Sequence, residues 1–165
     1  MRRIDQVIIH STATNPSWYS DKSAEDVVDE IRRWHVNEKN WRDIGYHYCI
    51  HRNGDIAKGR PIEQSGARAR GLNRNSVGVA LVGGRGGSGE CSDDEFLDHY
   101  TEAQQTTLRK LFNQLNEEYP IDMVAGHNEF ASKACPCFSV KEWCKVEKVI
   151  SFLEIQQIQC LVQTI

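Results

Sequence analysis

No run of about 18 consecutive apolar residues occurs in the 165-residue chain, so nothing in it reads as a membrane-spanning helix. The N-terminus, MRRIDQVIIH, carries two arginines but only a three-residue apolar run, Val7-Ile8-Ile9. That is too short for the core of a signal peptide, and synthesis and folding in the cytoplasm are expected. A basic excess is also missing. Lys and Arg number 20 against 23 Asp and Glu, for a net charge of −3, so there is no electrostatic footprint for nucleic acid. No zinc-finger pattern that pairs CxxC with HxxxH is present, nor are internal repeats and linkers. Without an export signal, the six cysteines (Cys49, Cys91, Cys135, Cys137, Cys144 and Cys160) are expected as reduced thiols. Cys49, Cys144 and Cys160 sit in apolar patterns and read as small core residues.

What is present suits one domain with a real core, since 39% of the residues are hydrophobic. Residues 6–12, QVIIHST, read as a buried strand. Ser23 is the expected N-cap of a helix over about residues 24–39. Val27, Ile31, Trp34 and His35 share one face of it, with His35 at the edge of the core. Residues 46–51 read as a strand that turns at Asn53-Gly54 into a hairpin. Strict alternation puts Tyr46, Tyr48 and Ile50 on one face and His47, Cys49 and His51 on the other. Tyr46 and His47 then share a site only if the strand end bends.

Residues 77–82 form the next strand, followed by a glycine- and acid-rich loop over 85–95. Thr101 and Gln104 fit a capping box. The helix it opens runs to about Tyr119, with Leu108, Leu111, Phe112 and Leu115 as its core stripe and Pro120 as its stop. A strand over 121–126 follows. Ser139 and Glu142 form a second expected capping box, opening a helix toward the C-terminus with Val149, Ile150, Leu153, Ile158 and Leu161 as its stripe. The fold class is therefore α/β, a single domain over 1–165 with a central mixed β-sheet flanked by helices, and a helical extension over 146–165.

The stretch IDMVAGHNEFASKACPCF, residues 121–138, holds the chemistry. Cys135 lies eight residues after His127, so an imidazole and a thiolate on one turn-rich connection can reach one metal ion. His10, at the end of Val7-Ile8-Ile9, is the best third donor. Three protein ligands leave a fourth position open to water, as in catalytic zinc sites. The same residues also read as a surface histidine and a buried thiol, and spacing alone does not decide between the two.

The segments VIIHSTAT, IRRWHVNEKNWRDIGYHYCIHRNGDIAKGRP, GLNRNSVGVALVGG, YTEAQ and GHNEFASKACPCF occur in one order over residues 7 to about 143. In that order they resemble the zinc-dependent N-acetylmuramoyl-L-alanine amidases, a family that includes phage amidase endolysins and the animal peptidoglycan recognition proteins. The resemblance implies Zn2+ held by His10, His127 and Cys135, with Tyr46 and Lys133 as active-site residues. It implies bacterial peptidoglycan as substrate, cut at the amide between N-acetylmuramic acid and L-alanine. A phage or prophage endolysin is expected, monomeric and released to the wall without inserting in the membrane. The alternatives are a muropeptide-recycling amidase, whose third ligand tends to be aspartate, and a non-catalytic binding module, which typically lacks the cysteine. Cys137 falls outside the Lys-x-Cys spacing and is expected to be a bystander. One departure stands out. Where the family usually has Gly-[Ala/Ser]-His-Ala, this chain reads Gly66-Ala67-Arg68-Ala69. Arg68 is expected at the rim, where a guanidinium can pair with a stem-peptide carboxylate.

Overall fold

Three consecutive β-branched residues, Val7, Ile8 and Ile9, have no exposed surface in strand β1 (Gln6–Ser11). A strand buried on both faces belongs in the middle of a parallel sheet, and β1 lies there. It pairs in parallel with β4 (Ser76–Leu81) on one side and β5 (Met123–Gly126) on the other. The computed structural model describes residues 2–67, 71–84 and 94–147. Among these the sheet has five strands in the order β3-β2-β4-β1-β5. Strand β2 (Tyr48–Ile50) runs parallel to β4 and antiparallel to β3 (Ile56–Lys58). The hairpin between β2 and β3 turns at Gly54, whose φ of +91° suits glycine. The expected mixed sheet is present.

Helices cover both faces. Helix α1 (Ala24–Arg33) is capped by Ser23, whose hydroxyl accepts from the Asp26 N–H at 3.0 Å. The Asp26 carboxylate accepts in return from the Ser23 N–H at 3.1 Å. Its stripe of Ala24, Val27, Val28 and Ile31 packs with Ile44, Cys49, Ala57, Ala80 and Val82. On the other face, α3 (Glu102–Glu118) buries the four expected residues Leu108, Leu111, Phe112 and Leu115 against Val7, Ile9, Val77 and Val79. Helix α4 (Val140–Val146) adds Val140, Trp143 and Cys144 to that core.

Three expectations need correction, and one helix was not expected. The helix expected over 24–39 is α-helical only to Arg33; Trp34–Glu38 form a π-helical turn, with the Lys39 N–H donating to the Trp34 carbonyl at 3.1 Å. In that wider turn the His35 ring packs at a tilt against Trp41 and Tyr46, at centroid distances of 4.6 and 5.3 Å. Strand alternation fails at Tyr46. The chain bends at Gly45 and again at His47, so Tyr46 packs on the α1 side of the sheet while Tyr48 and Ile50 pack on the α3 side. The second capping box is one-sided: Ser139 accepts from the Glu142 N–H, but Glu142 accepts from Lys145 at 2.8 Å. A short helix that sequence periodicity did not reveal, α2 (Phe96–His99), seats Phe96 in the core. Arg68 and the chain from residue 148, with most of the expected helical extension, lie outside the described residues.

Candidate metal centre

His10 is the penultimate residue of β1, and His127 follows the last residue of β5. The two strands are parallel neighbours, with Ile9 opposite Gly126. Both imidazoles therefore leave the sheet at the same carboxyl edge, where open α/β sheets bind ligands. Their ring centroids are 4.7 Å apart. The loop after β5 brings in the third donor: Cys135 Sγ lies 3.8 Å from His10 Nδ1. One ligating atom each from His10, His127 and Cys135 falls within 4.8 Å of the other two.

Hydrogen bonds fold that loop back on itself, and Phe138 anchors its end in the core. A 3-10 turn spans His127–Glu129, and Glu129 folds back to accept the Gly126 N–H at 2.8 Å. The Asn128 N–H donates to the Cys135 carbonyl at 2.7 Å, and the Asn128 side chain donates to the Phe138 carbonyl at 3.3 Å. Gly126 permits this closure. A Cβ there would collide with the Asn128 side chain and come within 3.0 Å of Pro136 Cδ. The Cys135–Pro136 peptide is cis.

Burial pushes the Cys135 thiol up, opposed by hydrogen bonds from the Ser11 backbone and hydroxyl and by the charge of Lys133. A bound cation would reverse that balance by replacing the proton. Two imidazoles and one sulfur, with no carboxylate, are the donor chemistry that suits zinc. Cys137 is turned away from the three donors and gives its S–H to the Gly84 carbonyl at 3.2 Å. Cys49 and Cys144 are buried thiols, each pushed up to about 12 by desolvation, and inert on that account.

Two further residues border the donors. The half-buried ring of Tyr46 lies 5.2 Å from that of His10. Lys133 is exposed on the loop two residues before Cys135, and its charge reaches the Cys135 sulfur. Behind Tyr46, His35 Nδ1 accepts the Gly45 N–H at 3.0 Å, which puts the ring proton on Nε2. Desolvation, helped by the charges of Arg60 and Lys39, depresses this imidazole to about 4, so it is neutral near pH 7. The guanidinium of Arg60 is buried and donates to the carbonyls of Asp43, Ile44 and Ser65 at 3.0, 2.8 and 2.6 Å, tying the Tyr46 segment to the loop opposite. Sequence reading missed Arg60, Asn128 and Ser11. Only adjacency to His10 and His127 could have pointed to the last two; nothing in the sequence marks Arg60.

Fold and site together define a class: a mixed-sheet α/β protein with a His-His-Cys donor set at the carboxyl edge of adjacent parallel strands. The family model for N-acetylmuramoyl-L-alanine amidase matches residues 1–138. The chain is 38% identical over 148 residues to the endolysin of Escherichia phage T7, covering 89% of each chain. It is 36% identical over 147 residues to the endolysin of Klebsiella phage KP32, covering 88% of this chain and 89% of that one. Among solved structures it resembles the N-acetylmuramoyl-L-alanine amidase LysC of Clostridium intestinale, with a TM-score of 0.67, 26% identity and coverage of 89% and 87%. Drosophila PGRP-LB gives a TM-score of 0.67 at 25% identity, with coverage of 82% and 76%. The chain belongs to the N-acetylmuramoyl-L-alanine amidase family. No helix among the described residues is long and apolar enough to cross a membrane.

Proposed function

We propose that this chain is a phage-type endolysin that hydrolyses the amide between the lactyl group of N-acetylmuramic acid and L-alanine in bacterial peptidoglycan, using zinc held by His10, His127 and Cys135. The observation that carries this reading is the convergence of those three donors, from β1 and the loop after β5, beside Tyr46. Zinc, when bound, supplies a Lewis acid and an acidified water. The chain's own residues do the rest. Lys133 stabilises the negative charge that develops on the amide oxygen, and loss of such a donor costs on the order of a hundredfold or more in rate. The Tyr46 hydroxyl orients the attacking water or passes its proton to the leaving amine. Neutral His35 and buried Arg60 hold the segment that carries Tyr46. All three ligands come from one chain, which suits a working monomer. Arg68 is proposed to meet the stem peptide at the rim.

The cysteine ligand favours this reading over a recycling amidase with aspartate in that place, and over a binding module without a third donor. The test is digestion of purified peptidoglycan followed by mass analysis of the products. Free stem peptides beginning with L-alanine, lost on chelation and restored by zinc, are expected. Release of sugar fragments instead, or turnover indifferent to chelation, would overturn the proposal.

A further inference from the structure

Helix α4 ends beside a groove that no side chain among the described residues fills. Phe96 and Leu97 of α2, Phe138, and Trp143 and Val146 of α4 line it, around a volume of about 580 Å3. Val146 is 76% exposed and Leu97 52% exposed, the two highest values among large apolar side chains of the described residues. Both lie on this one groove, and a contiguous exposed apolar patch marks an interaction site. The groove adjoins the end of the loop that carries Cys135: Phe138 packs edge-on against Phe96 and Trp143, with centroids 5.1 and 6.3 Å away. Trp143 also brings an unmet need. Its indole N–H is buried and has no acceptor among the described residues, which is costly, so an occupant that supplies an oxygen gains from it.

The point where the described chain stops identifies the occupant. Glu147 lines the groove and is pinned to α3, where the Gln105 amide donates to its carboxylate at 2.6 Å and Arg109 pairs with it at 2.8 Å. Residue 148 therefore starts at the groove wall. The sequence beyond it continues a pattern begun inside α4. Trp143, Val146, Ile150 and Leu153 follow one another at steps of three, four and three residues, the spacing of a helix that buries one face. The first two members of that series line the groove. Charge separates the candidates. Asp94, Glu95, Glu142 and Glu147 stand around the groove. A second copy docking by the same patch would set those carboxylates against themselves, and an anionic lipid surface would meet the same repulsion. Residues 148–165 carry one acid, Glu154, and one base, Lys148, at the near end.

We propose that the groove between α2 and α4 is the docking site for residues 148–165 of the same chain, with Ile150 and Leu153 against Leu97 and Val146, and Lys148 beside the carboxylates. The segment clasps α2 to α4 and so braces Phe138. The proposal does not depend on zinc or on the reaction.

Amide hydrogen exchange of the full chain, read by mass spectrometry, tests it. In wild type, residues 149–155 are expected to exchange at least about tenfold more slowly than an unstructured peptide of that sequence. Leu97→Glu and Ile150→Glu each remove that protection and speed exchange in residues 95–97 and 143–146. Gln156→Glu, off the apolar series, leaves both unchanged. Exchange in β1 is the control for global folding, and Leu97→Ser, a milder change at a half-exposed position, is read beside Leu97→Glu. Exchange of 149–155 at the unstructured rate in wild type overturns the proposal. Protection that survives both Leu97 variants puts the segment elsewhere and overturns it as well. Protection that rises with protein concentration, together with a dimer in sedimentation, makes the occupant a second copy and overturns it too.

Discussion

His10 Nδ1 and Cys135 Sγ, 125 residues apart in the chain, approach to 3.8 Å. An imidazole and a thiol gain little from that approach alone. A shared cation would give it a purpose, with His127 as the third donor. Cys135→Ala is therefore expected to lose zinc and nearly all turnover, while Cys137→Ala, whose S–H points to the Gly84 carbonyl, keeps both. Metal analysis of the two purified variants checks this; equal loss in both would place Cys137 among the ligands.

Lys133→Ala and Tyr46→Phe are expected to keep zinc and fold, because neither side chain ligates. Their kcat should fall by about a hundredfold or more, the usual size of a lost oxyanion donor or general acid–base group. Steady-state rates on purified peptidoglycan, beside zinc content, decide the matter. Near wild-type turnover in either variant removes that residue from the mechanism.

Gly126→Ala tests the closure of the site loop. The added methyl meets the Asn128 side chain, whose amide holds the Phe138 carbonyl and whose backbone holds the Cys135 carbonyl. A cost of about 1–3 kcal/mol is expected from overpacking, together with weaker zinc binding. Urea unfolding and zinc titration of the variant measure the two effects.

Gln104 has no exposed surface, and its amide donates to the carbonyls of Ile50 and Val82 at 3.1 and 3.0 Å while its oxygen accepts the Thr101 N–H at 3.1 Å. Gln104→Leu keeps the volume but removes the amide from the Val82 carbonyl and the Thr101 N–H, while the Ile50 carbonyl still accepts the Val82 N–H at 3.0 Å, so a loss of about 2 kcal/mol is expected. A denaturation midpoint within error of wild type would show that the amide is dispensable.

His35 predicts a pH dependence. Its folded value of about 4 lies below the ordinary 6.5. The unfolded chain therefore binds more protons between those limits, and stability falls as pH drops from about 6.5 through about 4. Above that window the contribution is fully present. His35→Gln should flatten this part of the profile of unfolding midpoint against pH. An unchanged slope would mean that the ring is not desolvated as the structure has it.

Local pattern made the elements legible. The run Val7-Ile8-Ile9, the caps at Ser23 and Thr101 and the stripe Leu108, Leu111, Phe112 and Leu115 each act within a few residues, through periodicity and orphaned backbone donors. They therefore specify strand or helix before the chain folds. The amidase-like motifs likewise named His10, His127, Cys135, Tyr46 and Lys133, because residue type and order are written in the chain. Only the tertiary structure decided how these parts meet. The face on which Tyr46 lies depends on a backbone bend that breaks alternation. The role of Gln104 extends beyond its helix cap because Ile50 in β2 and Val82 just after β4 present carbonyls to it. The Ser11 N–H meets the Cys135 sulfur at 3.2 Å and the Tyr100 hydroxyl donates to the Pro136 carbonyl at 2.7 Å, between segments that share no local pattern. Hydrogen bonds across such separations depend on sheet order and helix packing, and no periodicity in the sequence records them.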